Sequence, residues 1–256
     1  MAELIHPRAR SVDQRHETGP FDIIGDVHGC ATELEDLFNR LRYQRDSSGV
    51  WRPPAGRTAV FVGDLVDRGP RIPDALRIVM AMVAGGAAYA VPGNHDLQLA
   101  RVLSGDDVPI VYGLDTSLAA LAAEPQELST RVAAFFEAIK GHYVFDRGRL
   151  VVAHTGLAED LQGVDTWESR MMAAYGVVEG EIDATDLSKR HSWLAGYRGK
   201  AAVVYGHTPV EQAVWHGRTI DIDTGCVYGG LLTAVQWPER TIVSVPARKP
   251  YHRHGD

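Results

Sequence analysis

Apolar positions along this chain repeat with two periods. Phe21, Ile23 and Ile24 form a short apolar run that stops at Gly25, and Ala59, Val60, Phe61 and Val62 form another that stops at Gly63. Between them Leu34, Leu37, Phe38 and Leu41 fall at helical spacing. Short runs bounded by glycine predict buried strands, and the spaced set predicts a helix with one apolar face. FDIIG, TAVFVG and AAYAV read as strands, with ATELEDLFNRLRY and PDALRIVMAMVAGG as the helices between them. Residues 43–57 form a polar loop rich in glycine and proline. Two helices broken near Pro125 are expected over 114–140, and HYVFD and RLVVAH are strands around a turn at Arg147-Gly148. Further on, AAVVYG, LLTAVQW and TIVSVP read as strands, and EQAVWHGRTIDID as a hairpin turning at His216-Gly217.

Alternation of strand and helix followed by a strand-rich end predicts a mixed α/β fold with two sheets facing each other. Segments 97–141 and 158–198 carry little strand pattern and are expected as helical insertions that cap or rim a site. The organisation expected is a flexible arm over 1–18, a single domain over 19–246 and a tail over 247–256.

The chain has 256 residues and a net charge of −7, which argues against a broad cationic surface for duplex nucleic acid. No apolar run is long enough to span a membrane, and the polar start lacks a signal core, so a cytoplasmic protein is expected. Cys30 and Cys226 are expected as buried residues or free thiols, not a disulfide framework. No G-x-x-x-x-G-K-[ST] loop occurs, so the chain carries no nucleotide-kinase motif of that type.

The chemistry sits where strands end. GDVHGC (25–30), GDLVDRGP (63–70), PGNHD (92–96), AHTG (153–156), YGHTP (205–209) and DIDTG (221–225) each deliver polar side chains at a strand mouth. In α/β sheets, sites form at the carboxyl ends of strands. Asp26, His28, Asp64, Asn94, His154 and His207 then offer carboxylates, imidazoles and an amide oxygen without thiolate. That set suits Mn²⁺, with Fe or Zn²⁺ as alternatives. Asp64 has two oxygens with which to bridge two ions, and a pair about 3.5–4 Å apart clamps a phosphoryl group.

Taken in order, these motifs resemble the calcineurin-like metallophosphoesterase superfamily, in its phosphoprotein-phosphatase branch, over about residues 19–246. GPFDIIGDVHGC, VYGHTPV, TIDIDTGCVYGG and LTAVQWPERTIVSVP are also similar to the phosphatase module of bacterial polynucleotide kinase-phosphatase and to PrpE-type diadenosine tetraphosphatase. The resemblance implies a four-layer αββα sandwich and two divalent metal ions. It implies that Asp26, His28 and Asp64 hold the first ion, and Asp64, Asn94, His154 and His207 the second. Arg68 would steady phosphate oxygens, and His95, oriented by Asp96, would protonate the leaving oxygen. Attack by a metal-bridging hydroxide is the implied reaction.

Two positions depart from the family pattern. Pro209 stands where many relatives carry a second histidine, so Asp223, directly or through water, is a candidate to fill that gap. Thr155 stands where Ala or Gly is common, which sets a hydroxyl beside His154.

Substrate readings stay open at this level: nucleotides or nucleic-acid ends, diadenosine tetraphosphate, or a phosphoprotein. Some PrpE-type relatives lack an acidic residue after GNH, so Asp96 leans toward phosphomonoesters. A non-catalytic binding module is disfavoured because every ligand position is filled. Plainer roles compete with the chemical ones: Arg68 as ion-pair partner of Asp64 or Asp67, His95 as a core histidine, Asp223 as a turn former. Arg190 is a candidate phosphate contact or a surface residue. Trp193, Tyr197 and Trp215 are expected to pack, not to stack on bases, and His142, His191 and His216 to be structural. His252 and His254 are read as part of a disordered end.

Overall fold

The structure, a computed structural model, describes residues 10–176 and 192–253. Alternating apolar runs become strands buried on both faces. In β2 (Phe21–Ile24), Phe21 and Ile23 face one core while Ile24 faces another. β2 pairs in parallel with β5 (Thr58–Phe61), and β5 with β6 (Ala88–Ala90). The helices α1 (Ala31–Arg40) and α2 (Ile72–Ala84) make the crossovers that parallel pairing demands. The late strand β11 (Leu231–Trp237) adds antiparallel to β2, and β12 (Thr241–Pro246) antiparallel to β11, giving the order β12-β11-β2-β5-β6.

A second sheet has the order β1-β7-β8-β9-β10, from Asp13–Gln14, His142–Phe145, Leu150–Ala153, Ala202–Tyr205 and Thr219–Asp221. Phe21, Ile23, Val60 and Val235 of the first sheet pack against Phe145, Val152, Val204 and Ile220 of the second, so the two sheets enclose one core between them. Outside the first sheet, α1 and α2 are joined by α4 (Leu114–Ala122) and α5 (Gln126–Ala138). Outside the second, Val151 and Val203 pack on Trp193 of the short helix α7 (Ser192–Gly196). The layering is αββα, with two mixed sheets, as expected. α3 (Asn94–Leu103) and α6 (Trp167–Tyr175) complete the helices used below. Among the described residues no helix is long and apolar enough to cross a membrane.

Several local expectations are corrected. The arm is structured from residue 10: Val12 and Gln14 are buried, and β1 pairs in parallel with β7. In the tail, Arg248 N–H and the Tyr251 hydroxyl both donate to Glu33 Oε1, at 3.0 and 2.8 Å, so buried Glu33 anchors this segment to α1. His254 lies outside the described residues. The loop over 43–57 contains a small hairpin, β3 (Gln44–Arg45) with β4 (Trp51–Arg52). The hairpin at His216-Gly217 has only its second arm as a strand, because β10 takes its ladder from β9 and residues before the turn pair only through His216–Thr219.

His142 is buried, and its Nε2 accepts the Gly163 N–H at 2.9 Å. Burial pushes its pKa down to about 4, opposed weakly by Asp165. In the unfolded chain the ring protonates at about 6.5. Its stabilising contribution is therefore complete above about pH 6.5 and is lost as pH falls toward 4. His142→Gln keeps an acceptor for Gly163 without the charge. Urea unfolding at pH 7 and pH 5 should show the wild type losing about 2 kcal/mol more than the variant over that interval. Equal losses in the two proteins would contradict this account.

Candidate metal centre

Five non-glycine residues at the strand mouths have left-handed backbone: His28 (φ 40°), Asp64 (φ 47°), Asp67 (φ 70°), Arg68 (φ 69°) and His207 (φ 80°). Such conformations cost about 1–3 kcal/mol each and persist only where surroundings enforce them. Here they turn side chains from separate strands toward one point. Close approach of backbone is part of the same arrangement. A Cβ on Gly93 would overlap Asp64 Oδ1, and one on Gly206 would overlap Asp26 Oδ1.

Asp64 Oδ2 is 3.5 Å from His28 Nε2 and 3.4 Å from His154 Nε2, so one carboxylate oxygen sits between two imidazoles. His28 Nδ1 donates to Val66 O at 2.6 Å, and His154 Nδ1 to Val62 O at 3.0 Å. These bonds to carbonyls require the Nδ1–H tautomer and leave both Nε2 lone pairs facing the cluster. Asn94 Oδ1 lies 3.2 Å and His207 Nδ1 3.1 Å from His154 Nε2. Asp26 Oδ2 accepts the His207 N–H at 3.1 Å, while its Oδ1 is buried with no hydrogen-bond partner. Ligand-type atoms thus gather in two groups that share Asp64: with His28 and His95, and with His154 and His207.

The electrostatics are those of a site short of positive charge. Burial raises Asp26 well above the usual carboxylate range, and Asp223, Asp64 and Asp221 raise it further. Burial also raises Asp221, and pushes Asp223 up to about 6. Burial works against charge on Asp64 too, but the His154, His95 and His28 rings hold it well below its ordinary value. His28 is held neutral by burial and by the Arg68 guanidinium. Crowded carboxylates, inward lone pairs and an amide oxygen, with no thiolate among them, fit hard or borderline divalent cations.

Arg68 donates to His28 Nε2 at 3.0 Å and lies 5.6 Å over the Tyr228 ring. Its own N–H donates to Thr116 Oγ1 at 2.8 Å. His95 is not oriented by Asp96. Its Nδ1 is 2.5 Å from Asp67 Oδ2, and Ser117 Oγ donates to the other Asp67 oxygen. Asp96 instead accepts the Leu65 and Gly93 N–H groups, each at 2.9 Å. As the third residue of α3 it reaches back to the helix start, a capping role. Sequence reading named Asp67 only as an ion-pair partner for Arg68, and missed Ser117 and Thr116. Their side chains reach the site from α4, inside the first insertion, across about fifty residues of chain.

The two departures resolve differently. Thr155 Oγ1 donates to Met172 O at 2.7 Å, so the hydroxyl ties its loop to α6 and does not adjust His154. Trp193 Nε1 donates to Thr155 O at 3.1 Å, a packing and latching role. Val210 N–H donates to Asp223 O at 2.9 Å, which staples the Pro209 loop to the strand end carrying Asp223. Asp223 Oδ1 accepts the Gly225 N–H at 3.0 Å, as a turn former does. Arg190 and His191 lie outside the described residues.

Two facing mixed sheets with His/Asp clusters at their strand mouths define a metal-dependent phosphoesterase. The chain belongs to the calcineurin-like phosphoesterase family, whose model matches residues 19–234. It is 43% identical over 234 residues to the bis(5'-nucleosyl)-tetraphosphatase PrpE (asymmetrical) of Geobacillus thermodenitrificans, covering 90% of this chain and 95% of that one. It is 41% identical over 235 residues to the protein of the same description from Bacillus subtilis, covering 90% and 96%. A solved structure named "Crystal structure of a putative diadenosine tetraphosphatase" matches with a TM-score of 0.66 and 29% identity, over 93% of this chain and 98% of that one.

Proposed function

We propose that this phosphoesterase hydrolyses the phosphate chain of dinucleoside tetraphosphates at a binuclear centre built around Asp64. The observation that carries the chemistry is Asp64 Oδ2, 3.5 and 3.4 Å from two inward-facing histidine nitrogens with Arg68 alongside. The activity named for the relatives supports this substrate over nucleic-acid ends and phosphoproteins. Asp26, His28 and Asp64 are the residues for one cation, and Asp64, Asn94, His154 and His207 for the other. Mn²⁺ is the ion this donor set favours. Asp223 braces the site, its backbone oxygen tying down the Pro209 loop and its carboxylate the turn at Gly225. Bound divalent cations supply Lewis-acid polarisation of phosphoryl oxygens and lower the pKa of water.

The protein's own groups do the rest. Arg68 meets the charge that gathers on the equatorial phosphoryl oxygens. His95, with Nδ1 tied to Asp67, keeps Nε2 to hold a proton and deliver it to the departing oxygen. That pair also favours a second reading, phosphomonoester hydrolysis, because an alkoxide leaving group needs the proton more than a polyphosphate does. A nucleotide substrate supports a cytoplasmic location.

A substrate panel tests both readings. Chelator-stripped protein is reloaded with Mn²⁺ and assayed on diadenosine tetraphosphate, 3′-phosphorylated oligonucleotide, phosphopeptide and p-nitrophenyl phosphate. Diadenosine tetraphosphate should give the highest kcat/KM and release two unequal nucleotides, and stripped protein should be inactive. A preference for the oligonucleotide or phosphopeptide overturns the substrate. Full activity after stripping overturns the centre.

A further inference from the structure

Beside the metal centre, α3, α5 and α6 enclose a groove of about 460 Å³. Leu97 and Arg101 of α3, Phe136 of α5, and Trp167, Met171 and Tyr175 of α6 line it. Trp167 is 73% exposed, the most exposed of the large apolar side chains among the described residues. An indole in that position leaves most of its apolar surface in water. Single exposed apolar residues need no explanation, but one at the mouth of a cavity with other aromatic walls does.

The groove and the metal centre share α3. Asn94, Leu97 and Arg101 stand three and then four residues apart, so they share a stripe of the helix. Asn94 begins that stripe, and its Oδ1 is in the metal cluster. Arg101 follows about 10 Å further along the axis. Of the two arginines in the lining, Arg170 is committed: it donates to Ile139 O and Phe136 O at 2.7 and 2.8 Å. Among the described residues Arg101 pairs with Asp106, at 2.9 Å, and both are more than half exposed. A solvated pair of that kind is worth little and exchanges readily.

We propose, resting on the nucleotide reading above, that this groove seats a nucleobase of the substrate. The base stacks on Trp167, with the half-buried Tyr175 as the second aromatic wall. Arg101 exchanges Asp106 for an oxygen of the phosphate chain that leads from the base to the centre. Glu137, exposed on the rim, offers an acceptor to an exocyclic amino group, so an amino-bearing purine fits better than uracil. A flat aromatic platform, a cation beside it and a direct run to the reacting phosphate are what recognition of a nucleotide requires.

Two readouts test the subsite on the full chain. Saturation-transfer NMR with adenosine, which has no phosphate to cleave, reports the base directly. Its base protons should receive saturation from the wild type and from Trp167→Phe, and at least fivefold less from Trp167→Ala. Kinetically, Trp167→Ala should lower the ratio of kcat/KM for diadenosine tetraphosphate to that for p-nitrophenyl phosphate about tenfold, through KM. Arg101→Ala should lower the same ratio. An undiminished adenosine signal and ratio in Trp167→Ala, or a change of oligomeric state in its place, overturns the subsite. If the wild type cleaves no dinucleotide yet binds adenosine in the Trp167-dependent way, the groove stands and the proposed substrate falls.

Discussion

Asp64→Asn should cost about 10³-fold or more in kcat/KM, roughly 4 kcal/mol of transition-state stabilisation. The reason lies in the two oxygens of one side chain. Oδ1 accepts the His95 N–H at 3.2 Å, and Oδ2 stands between His28 and His154. Asparagine can keep the first bond with its amide oxygen. It then turns an amide nitrogen, a donor with no charge, toward the imidazole lone pairs where a shared anion is needed. Metal content by elemental analysis should fall from two ions per chain to one or none. Two ions retained with unimpaired turnover would remove Asp64 from the centre of this account.

Asp67→Asn is expected to have the next largest effect, and a selective one. Asp67 joins His95 Nδ1 at 2.5 Å and is itself clamped by Ser117. Loss of that carboxylate leaves the His95 ring free to rotate away from the departing oxygen. Alkyl phosphomonoesters, whose leaving alkoxide needs protonation, should slow about 10²-fold. p-Nitrophenyl phosphate, whose phenolate leaves without help, should slow less than tenfold. Asp96→Asn should behave differently, because Asp96 serves two backbone N–H groups at the start of α3 and not the ring. Its cost should appear in thermal stability, with no dependence on leaving group. If the leaving-group dependence followed Asp96 and not Asp67, the orientation assigned here would be wrong.

Much of this was legible in the chain because the signals are local. A strand that ends near glycine and is followed at once by Asp, or by Asn and His, announces itself within a few residues, and GDVHGC, GDLVDRGP and PGNHD do so in succession. The helix break at Pro125 and the turn at Arg147-Gly148 are equally local, and α4, α5, β7 and β8 fall where expected. The misreadings concern partners remote in sequence. Adjacency suggested that Asp96 orients His95, yet successive residues at a helix start point in different directions. The actual partner, Asp67, comes from another strand mouth. Residues 10–18 and 247–253 carry little periodic pattern, and only their docking on β7 and on Glu33 gives them structure.

By itself the sequence determined which residues stand at the strand mouths, and hence that carboxylates and imidazoles would gather at the carboxyl ends of strands. Those facts follow from period-two burial and from glycine, which act over a few residues. Tertiary structure decided which oxygen shares two imidazoles, which carboxylate holds His95, and that α3, α5 and α6 leave an aromatic groove beside the centre. Each of these depends on distances between segments tens of residues apart, set by how sheets and helices pack and not by any pattern along the chain.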